Sequence, residues 1–440
     1  MLNIPVHRPY RGAGRTSSQI VHDVERALRQ GEIGPGDRLP SVRHLAEELG
    51  LSPATVASAY QELARRGVTT GGPGRAGTRV RERPPVATRS ALPVPPGVRD
   101  LRSGEPDPEL LPELPKVELT RRSYSDPPVS PRLRRVAEQD FAADGVGPFH
   151  LAVAGGALDG VERVLAAWLR PGDLVAVEDP CYGAVLDLLA AMSLRAVPVL
   201  VDELGPRPGE LRSALRRGAR AAVLTPRAHN PTGAAWDEGR AADLRQLLGA
   251  HPEVLVVEDD HAGTVAGAPF YTAAGGTEHW ATVRSVSKWL GPDFRLAVLA
   301  GDEATVANVE GRQALGTGWV SYLLQDTVAA LWSSPSIREV LERATATYAL
   351  RRAALQRLLA GAGHTVSGRS GLTTWLPVDD ELGVVSGLME AGWAVAPGAR
   401  FGVASPPAVR IGHGTLRPEE AARFVADLAE VLRRPPRRSD

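Results

Sequence analysis

Arginine fills nearly every cationic position of this 440-residue chain, and Lys116 and Lys288 are its only lysines. Lysine can do one thing arginine cannot: its amine can lose a proton and attack a carbonyl to form a Schiff base, whereas a guanidinium stays charged. Lys288 lies in the run Ser285-Val286-Ser287-Lys288-Trp289-Leu290-Gly291-Pro292-Asp293-Phe294-Arg295. The hydroxyls of Ser285 and Ser287 and the guanidinium of Arg295 are groups that can hold a phosphate. A Schiff-base lysine beside a phosphate cradle is the combination that pyridoxal 5'-phosphate (PLP) requires. The same run also reads as a solvated Ser/Lys/Arg surface. Lys116, in a Pro-rich stretch without phosphate ligands, reads as exposed.

Other polar groups stand at the ends of apolar runs. Gly155-Gly156-Ala157-Leu158-Asp159-Gly160 opens a helix whose free N–H groups and positive dipole end suit a phosphate. In Glu178-Asp179-Pro180-Cys181-Tyr182 the tyrosine can offer a face for a flat ring. Asn230, in Thr225-Pro226-Arg227-Ala228-His229-Asn230-Pro231-Thr232-Gly233, can donate to a phenolate oxygen, or simply mark a turn. A carboxylate of Glu258-Asp259-Asp260-His261 can bind a protonated pyridine nitrogen, the contact that makes the ring an electron sink. Each is ordinary alone, and the order is what gives them weight.

The elements that would position these groups are legible as runs. Leu174–Val177, Ala221–Leu224, Val254–Val257 and Leu296–Leu299 read as buried strands alternating with amphipathic helices. That pattern implies an α/β domain with a largely parallel sheet and a ligand at the carboxyl ends of its strands.

The first 85 residues read differently, with 13 Arg and no Lys against 8 Asp plus Glu, a net of about +5 in a chain whose formal charge is zero. A basic module on an acidic body implies a polyanion partner for the module. Helical spacing puts Ile20, Val21, Val24 and Leu28 on one face, and Ser41 caps a second helix that ends at Gly50. A third helix starts at Ser52 with Pro53 in its first turn, burying Val56, Tyr60 and Leu63. Gly67–Thr70 and Thr78–Val80 then pair around a glycine-rich wing. This is a winged helix-turn-helix whose third helix enters the DNA major groove. Residues 82–100 are Pro-rich and favour an extended linker reaching roughly 50 to 60 Å. One cysteine, Cys181, excludes an intrachain disulfide framework and fits a reducing cytoplasm. No apolar run is long enough for a membrane span, and no histidine spacing suggests a metal site.

The N-terminal module resembles the GntR family of bacterial transcription regulators, through Gly34-Pro35-Gly36-Asp37-Arg38-Leu39-Pro40-Ser41-Val42-Arg43-His44-Leu45-Ala46 and Leu51-Ser52-Pro53-Ala54-Thr55-Val56-Ala57-Ser58-Ala59-Tyr60. The body resembles fold-type I aminotransferases, and the whole chain the MocR subfamily, in which such a body senses ligand. The resemblance implies a multidomain protein, a winged helix over residues 1–81, a linker over 82–100, an aminotransferase-like α/β domain over 101–432 and a basic tail over 433–440. It implies that Arg43, Ser52, Thr55, Ser58 and Arg75 face double-stranded operator DNA. It further implies that Lys288 forms the Schiff base, Asp259 pairs with the ring nitrogen, Asn230 contacts the phenolate oxygen with His261 nearby, and Tyr182 stacks on the ring. Phosphate would be held by the backbone of Gly156, Ala157 and Leu158, by Ser285, Ser287 and Arg295, and by Tyr124 of a second subunit. Arg410 would clamp a ligand carboxylate.

Several positions depart from the family pattern. Pro53 and Ala57 stand where arginine is common, His261 where a tyrosine is usual, and Leu158 and Asp159 where amide side chains are usual. Val129 and Ser130 lack the customary glycine and tyrosine, and Arg227 and His229 replace smaller or amide residues near the ligand. The expectation is a cytoplasmic, dimeric, PLP-dependent regulator responding to PLP or an amino compound. An active aminotransferase with an accessory winged helix, and a regulator that has lost PLP, are the alternatives.

Overall fold

The computed structural model describes residues 16–29, 33, 36–65, 68–70, 77–80, 94–114 and 122–433. Arg75, most of the linker, Lys116 and the basic tail lie outside the described residues. The chain divides into two compact units, one built mainly from the first 91 residues and one from most of the remainder.

The first unit contains helices Ser17–Arg29, Val42–Leu49 and Pro53–Arg65. Ser41 caps the second, its side-chain oxygen accepting the His44 N–H at 3.2 Å, and Gly50 closes it in the left-handed region at φ 65°. Ile20, Val24, Leu45, Val56 and Leu63 pack into one core, closed by Val80 of the wing. Thr69–Thr70 and Arg79–Val80 pair antiparallel, with Thr69 opposite Val80. The helices and hairpin therefore follow the periodicity. The Leu28 side chain and the wing tip lie outside the described residues.

In the second unit the main sheet has eight strands. Their order is His150–Ala154, Ala297–Gly301, Trp280–Ser285, Leu255–Asp260, Ala219–Leu224, Leu174–Asp179, Arg195–Asp202 and Gly205–Pro206. Ala219–Leu224, Leu255–Asp260 and Trp280–Ser285 run parallel, whereas Ala297–Gly301 opposes both of its neighbours. Leu255–Asp260 and Trp280–Ser285 are buried along their whole length, the polar ends Glu258–Asp260 and Arg284–Ser285 included. Their carboxyl ends carry Asp259 and Ser285.

A smaller sheet joins Thr373–Pro377, Ala408–Gly412 and Ala396–Pro397 in antiparallel pairs. Its core includes Leu376, Val409 and Ile411 with Leu355 and Leu359 of helix Pro335–Gly361 and Phe424 and Leu428 of helix Pro418–Arg433. Arg99 and Asp100, read as the end of the linker, instead form a short strand parallel to Trp393–Ala394. The chain then runs beside Ala408–Gly412, where the Gly412 N–H donates to the Leu101 carbonyl at 2.7 Å. Gly412 permits this approach, since a Cβ there would lie 1.8 Å from the Ser103 carbonyl oxygen.

Candidate functional site

A cleft at the carboxyl ends of the central strands is lined by Glu178, Tyr182, Thr225, Asn230, Asp259 and His261, with Val177, Val185 and Val223 as its apolar walls. Asp259 is 4% exposed, and its Oδ1 has no hydrogen-bond partner. Burial, reinforced by Asp260 and Glu178, raises its carboxyl pKa to about 7. His261, half-buried, is lowered to about 4 by burial and by the Lys288 charge, so its ring is neutral at physiological pH. Tyr182 keeps a 40% exposed ring at the mouth.

The Lys288 amine donates to the Gly104 carbonyl at 2.7 Å. Burial lowers its pKa to about 8, with Arg410 and Arg295 adding to the effect and Glu105 opposing it. Arg410 donates from Nη1 to Asn230 Oδ1 at 3.0 Å and from Nη2 to the Arg102 carbonyl. Its guanidinium lies 4.5 Å from the Phe401 ring centroid, its Nε is buried without a partner, and burial lowers its pKa to about 10. Asn230 therefore turns its oxygen to Arg410, which leaves its amide N–H groups to donate elsewhere. Both cations are held by carbonyls of one short segment, Arg102–Gly104.

The expected phosphate groups converge only in part. Helix Ala157–Trp168 begins beside Gly156, whose φ is 110°. A Cβ on Gly156 would lie 2.8 Å from Arg295 Nη2, so the exposed guanidinium rests directly on the backbone that opens the helix. Asp159 accepts the Gly155 N–H at 2.7 Å and the Arg163 Nε–H at 2.9 Å, occupying one donor of that helix start. Ser285 Oγ accepts the Ser287 N–H at 3.2 Å, and the Ser287 hydroxyl donates to the Phe294 carbonyl at 2.8 Å. The Ser287 proton is thus committed to its own turn, whereas Ser285 keeps its own. Tyr124 stands apart from the cleft at 93% exposure, edge-on to Trp319 with centroids 5.6 Å apart.

Two residues behave otherwise than the spacing suggests. Arg227, expected near the ligand, forms a bidentate pair with buried Asp260 at 2.8 and 2.9 Å and lies over the Phe270 ring. Asp260 also accepts Arg284 Nε–H at 2.6 Å, and Arg284 reaches Asp140 and Asp144. Burial alone would raise the Asp260 carboxyl, but the two guanidinium groups hold it well below the usual range. Arg284 escaped the sequence reading, although an arginine inside an otherwise apolar strand was a usable signal. His229, 0% exposed, faces Glu178 with Nε2 3.3 Å from Oε2.

On the first unit, Arg43 and Ser58 are exposed. Ser52 Oγ caps the third helix by accepting the Thr55 N–H at 3.2 Å and lies 2.9 Å from Thr55 Oγ1. The Ser17 hydroxyl donates to Ser58 Oγ at 3.3 Å.

Two family models match: bacterial regulatory proteins of the gntR family over residues 16–80, and aminotransferase class I and II over residues 120–428. The vitamin B6 salvage pathway transcriptional repressor PtsJ of Salmonella typhimurium is 39% identical over 429 residues, spanning 96% of this chain and 99% of its own. The chain is a MocR-type regulator of the GntR family. This regulator is also 26% identical to the HTH-type transcriptional regulator TauR of Rhodobacter capsulatus, over 96% of this chain and 97% of that one. Among solved structures, Pyrococcus horikoshii kynurenine aminotransferase matches with a TM-score of 0.69 at 18% identity, covering 77% of the regulator and 91% of the enzyme. Thermus thermophilus LysN, complexed with N-(5'-phosphopyridoxyl)-L-leucine, matches at 0.66 and 22%, covering 77% and 92%. These likenesses establish fold-type I for the body.

The aminotransferase class I and II body makes PLP the regulator's cofactor. Its residues fit that group in three respects: Asp259 Oδ1 awaits a donor, Gly156 and Arg295 leave a cradle that a Cβ would fill, and Lys288 carries a readily deprotonated amine. Among the described residues no acidic, histidine or cysteine cluster could hold a metal ion.

Proposed function

We propose that this DNA-binding regulator reads PLP, or an amino compound captured by it, through Lys288. The observation that carries the reading is the buried, unpartnered Asp259 oxygen in a cleft whose neighbour His261 feels the Lys288 charge. Bound PLP would supply an aldehyde that condenses with amines and an electron-accepting ring. Asp259 would hold the ring nitrogen, the Asn230 amide and neutral His261 the phenolate oxygen, and Tyr182 the ring face. The phosphate would rest on Gly156, Ala157 and Leu158 with Ser285 and Arg295, and Ser287 would shape that turn. Tyr124 of a second copy would complete it, and Arg410 would meet a ligand carboxylate.

Engaging either cation breaks a bond to segment Arg102–Gly104, which follows the linker in the chain. Ligand state thereby acts on the segment that leads back to the DNA-binding unit. The likeness to PtsJ supports repression of a vitamin B6 gene as the output, in the cytoplasm. No helix among the described residues is long and apolar enough to cross a membrane.

The test is operator affinity with and without PLP, using a duplex selected from a random library by the full chain. A ligand that distinguishes two conformations typically changes affinity ~5- to 150-fold. Wild type should show such a change and Lys288→Ala should show none; equal effects in both would remove Lys288 from the switch. Because Arg410 is proposed to meet a ligand carboxylate, turnover of an amino acid with a 2-oxo acid should be assayed on the same preparation.

A further inference from the structure

Glu178, next to last in strand Leu174–Asp179 and 2% exposed, lines the same cleft as Asp259. Its Oε1 is buried without a hydrogen-bond partner, as is Asp259 Oδ1. Behind it, His229 Nδ1 lies 2.7 Å from Thr232 Oγ1, which already accepts the Ala234 N–H at 3.2 Å. His229 Nε2, on the other side of the ring, faces Glu178 at 3.3 Å without a hydrogen-bond partner of its own. His229 thus stands against one Glu178 oxygen, and the other is an open carboxylate oxygen in the cleft that Asp259 also lines. Two buried carboxylates in one apolar cleft do not both ionise cheaply. The Arg227 and Arg284 charges that neutralise Asp260 are spent on Asp260, and the thiol that also faces Glu178, Cys181, is pushed far up by burial and stays neutral.

We propose that Glu178, whose second oxygen faces His229, is a positioning residue for the cofactor: it shares one proton with Asp259 in the cofactor-free protein and holds the ring nitrogen protonated once PLP is bound. The proton passes from the carboxylate pair to the ring nitrogen, leaving two carboxylates opposite one pyridinium, so no further reactant is needed. This rests on the cleft being the PLP site, and the first readout is made without PLP so that the two ideas can fail separately.

In the cofactor-free full chain, infrared difference spectra across neutral pH should show one protonated carboxyl titrating near pH 7, the value to which Asp259 is raised. Glu178→Gln, close to isosteric, should move that midpoint down by about one unit by removing the like charge. Asp259→Asn should abolish the neutral-range band by removing the carboxyl that titrates there. With ring-labelled ¹⁵N PLP bound, Glu178→Gln should lose ring-nitrogen protonation at a lower pH than wild type, and Glu178→Asp should restore part of the difference. An unmoved midpoint in Glu178→Gln, or a band persisting in Asp259→Asn, overturns the shared proton. An unchanged ¹⁵N titration overturns the role toward the cofactor. If Glu178→Gln does not fold, the Asp259→Asn band decides alone. If the infrared results hold but PLP does not bind, the carboxylate pair stands and the cofactor reading of the cleft fails.

Discussion

Lys288 is the residue whose chemistry was easiest to foresee, because a chain that uses arginine almost everywhere has left one lysine among hydroxyls. Its pKa of about 8 follows from burial near Arg410 and Arg295, and it fixes the direction of a pH dependence. Only the neutral amine attacks an aldehyde, so PLP capture should rise as pH passes upward through about 8. An unperturbed lysine would place that rise near pH 10.4. Rapid borohydride trapping at a series of pH values, with peptide mass analysis at Lys288, measures the midpoint; a value near that of free lysine would show that the amine is not held in this environment. Lys288→Arg should trap nothing. What sequence could not supply is the partner of the waiting amine. The Gly104 carbonyl is a backbone group 184 positions away, and backbone groups carry no residue signature. The orphaned oxygen of Asp259 was equally hidden, since the residue type shows a carboxylate but not whether anything pairs with it.

Elements were legible where local chemistry decides them. Ser41 and Gly50 mark the ends of one helix, and the continuous apolar strands announce a covered sheet. Strand direction was not legible. Only residues 286–296 separate Trp280–Ser285 from Ala297–Gly301, too few for the usual helical crossover, and the chain returns antiparallel. Nor did spacing show that Arg284 ties that strand to helix Pro131–Ala143 through Asp140, with Asp144 just beyond the helix end. Arg284 is 2% exposed, and Asp260 at its side is 0% exposed. Removing one partner of such a group leaves a buried charge uncompensated, at about 3–5 kcal/mol. Urea unfolding of Arg284→Ala should show a loss of that size. Arg134→Ala, which breaks the exposed Arg134–Glu138 pair at 3.7 Å, should change stability by less than about 1 kcal/mol. Similar small losses for both would mean that Arg227 alone suffices for Asp260.

At the scale of the molecule, the basic first module has few guanidinium groups on its third helix, and Ser52 and Thr55 spend hydroxyls on each other at the helix start. One such module offers limited phosphate contact, so operator affinity should depend on two copies acting together. For the proposed pairing the residues to test are exposed apolar groups of the body: Leu315 is 91% exposed, Tyr124 93% and Leu323 53%, with Trp319 between Tyr124 and Tyr322. A large exposed apolar group is costly to leave in water, and Tyr124 is the residue the family resemblance sends to a neighbouring subunit. If the proposed dimer forms through them, joint Leu315→Asp and Leu323→Asp substitution should give a monomer by sedimentation while leaving each unit folded. Affinity for a two-half-site operator should then fall by roughly 10²-fold or more, the usual scale for losing a linked second contact. Affinity for a single half-site should hold within a few-fold. The slope of log affinity against log salt should fall toward half, since it counts the phosphates neutralised. A variant that stays dimeric would place the interface elsewhere, and one that turns monomeric with unchanged two-site affinity would show that a single winged helix carries the binding.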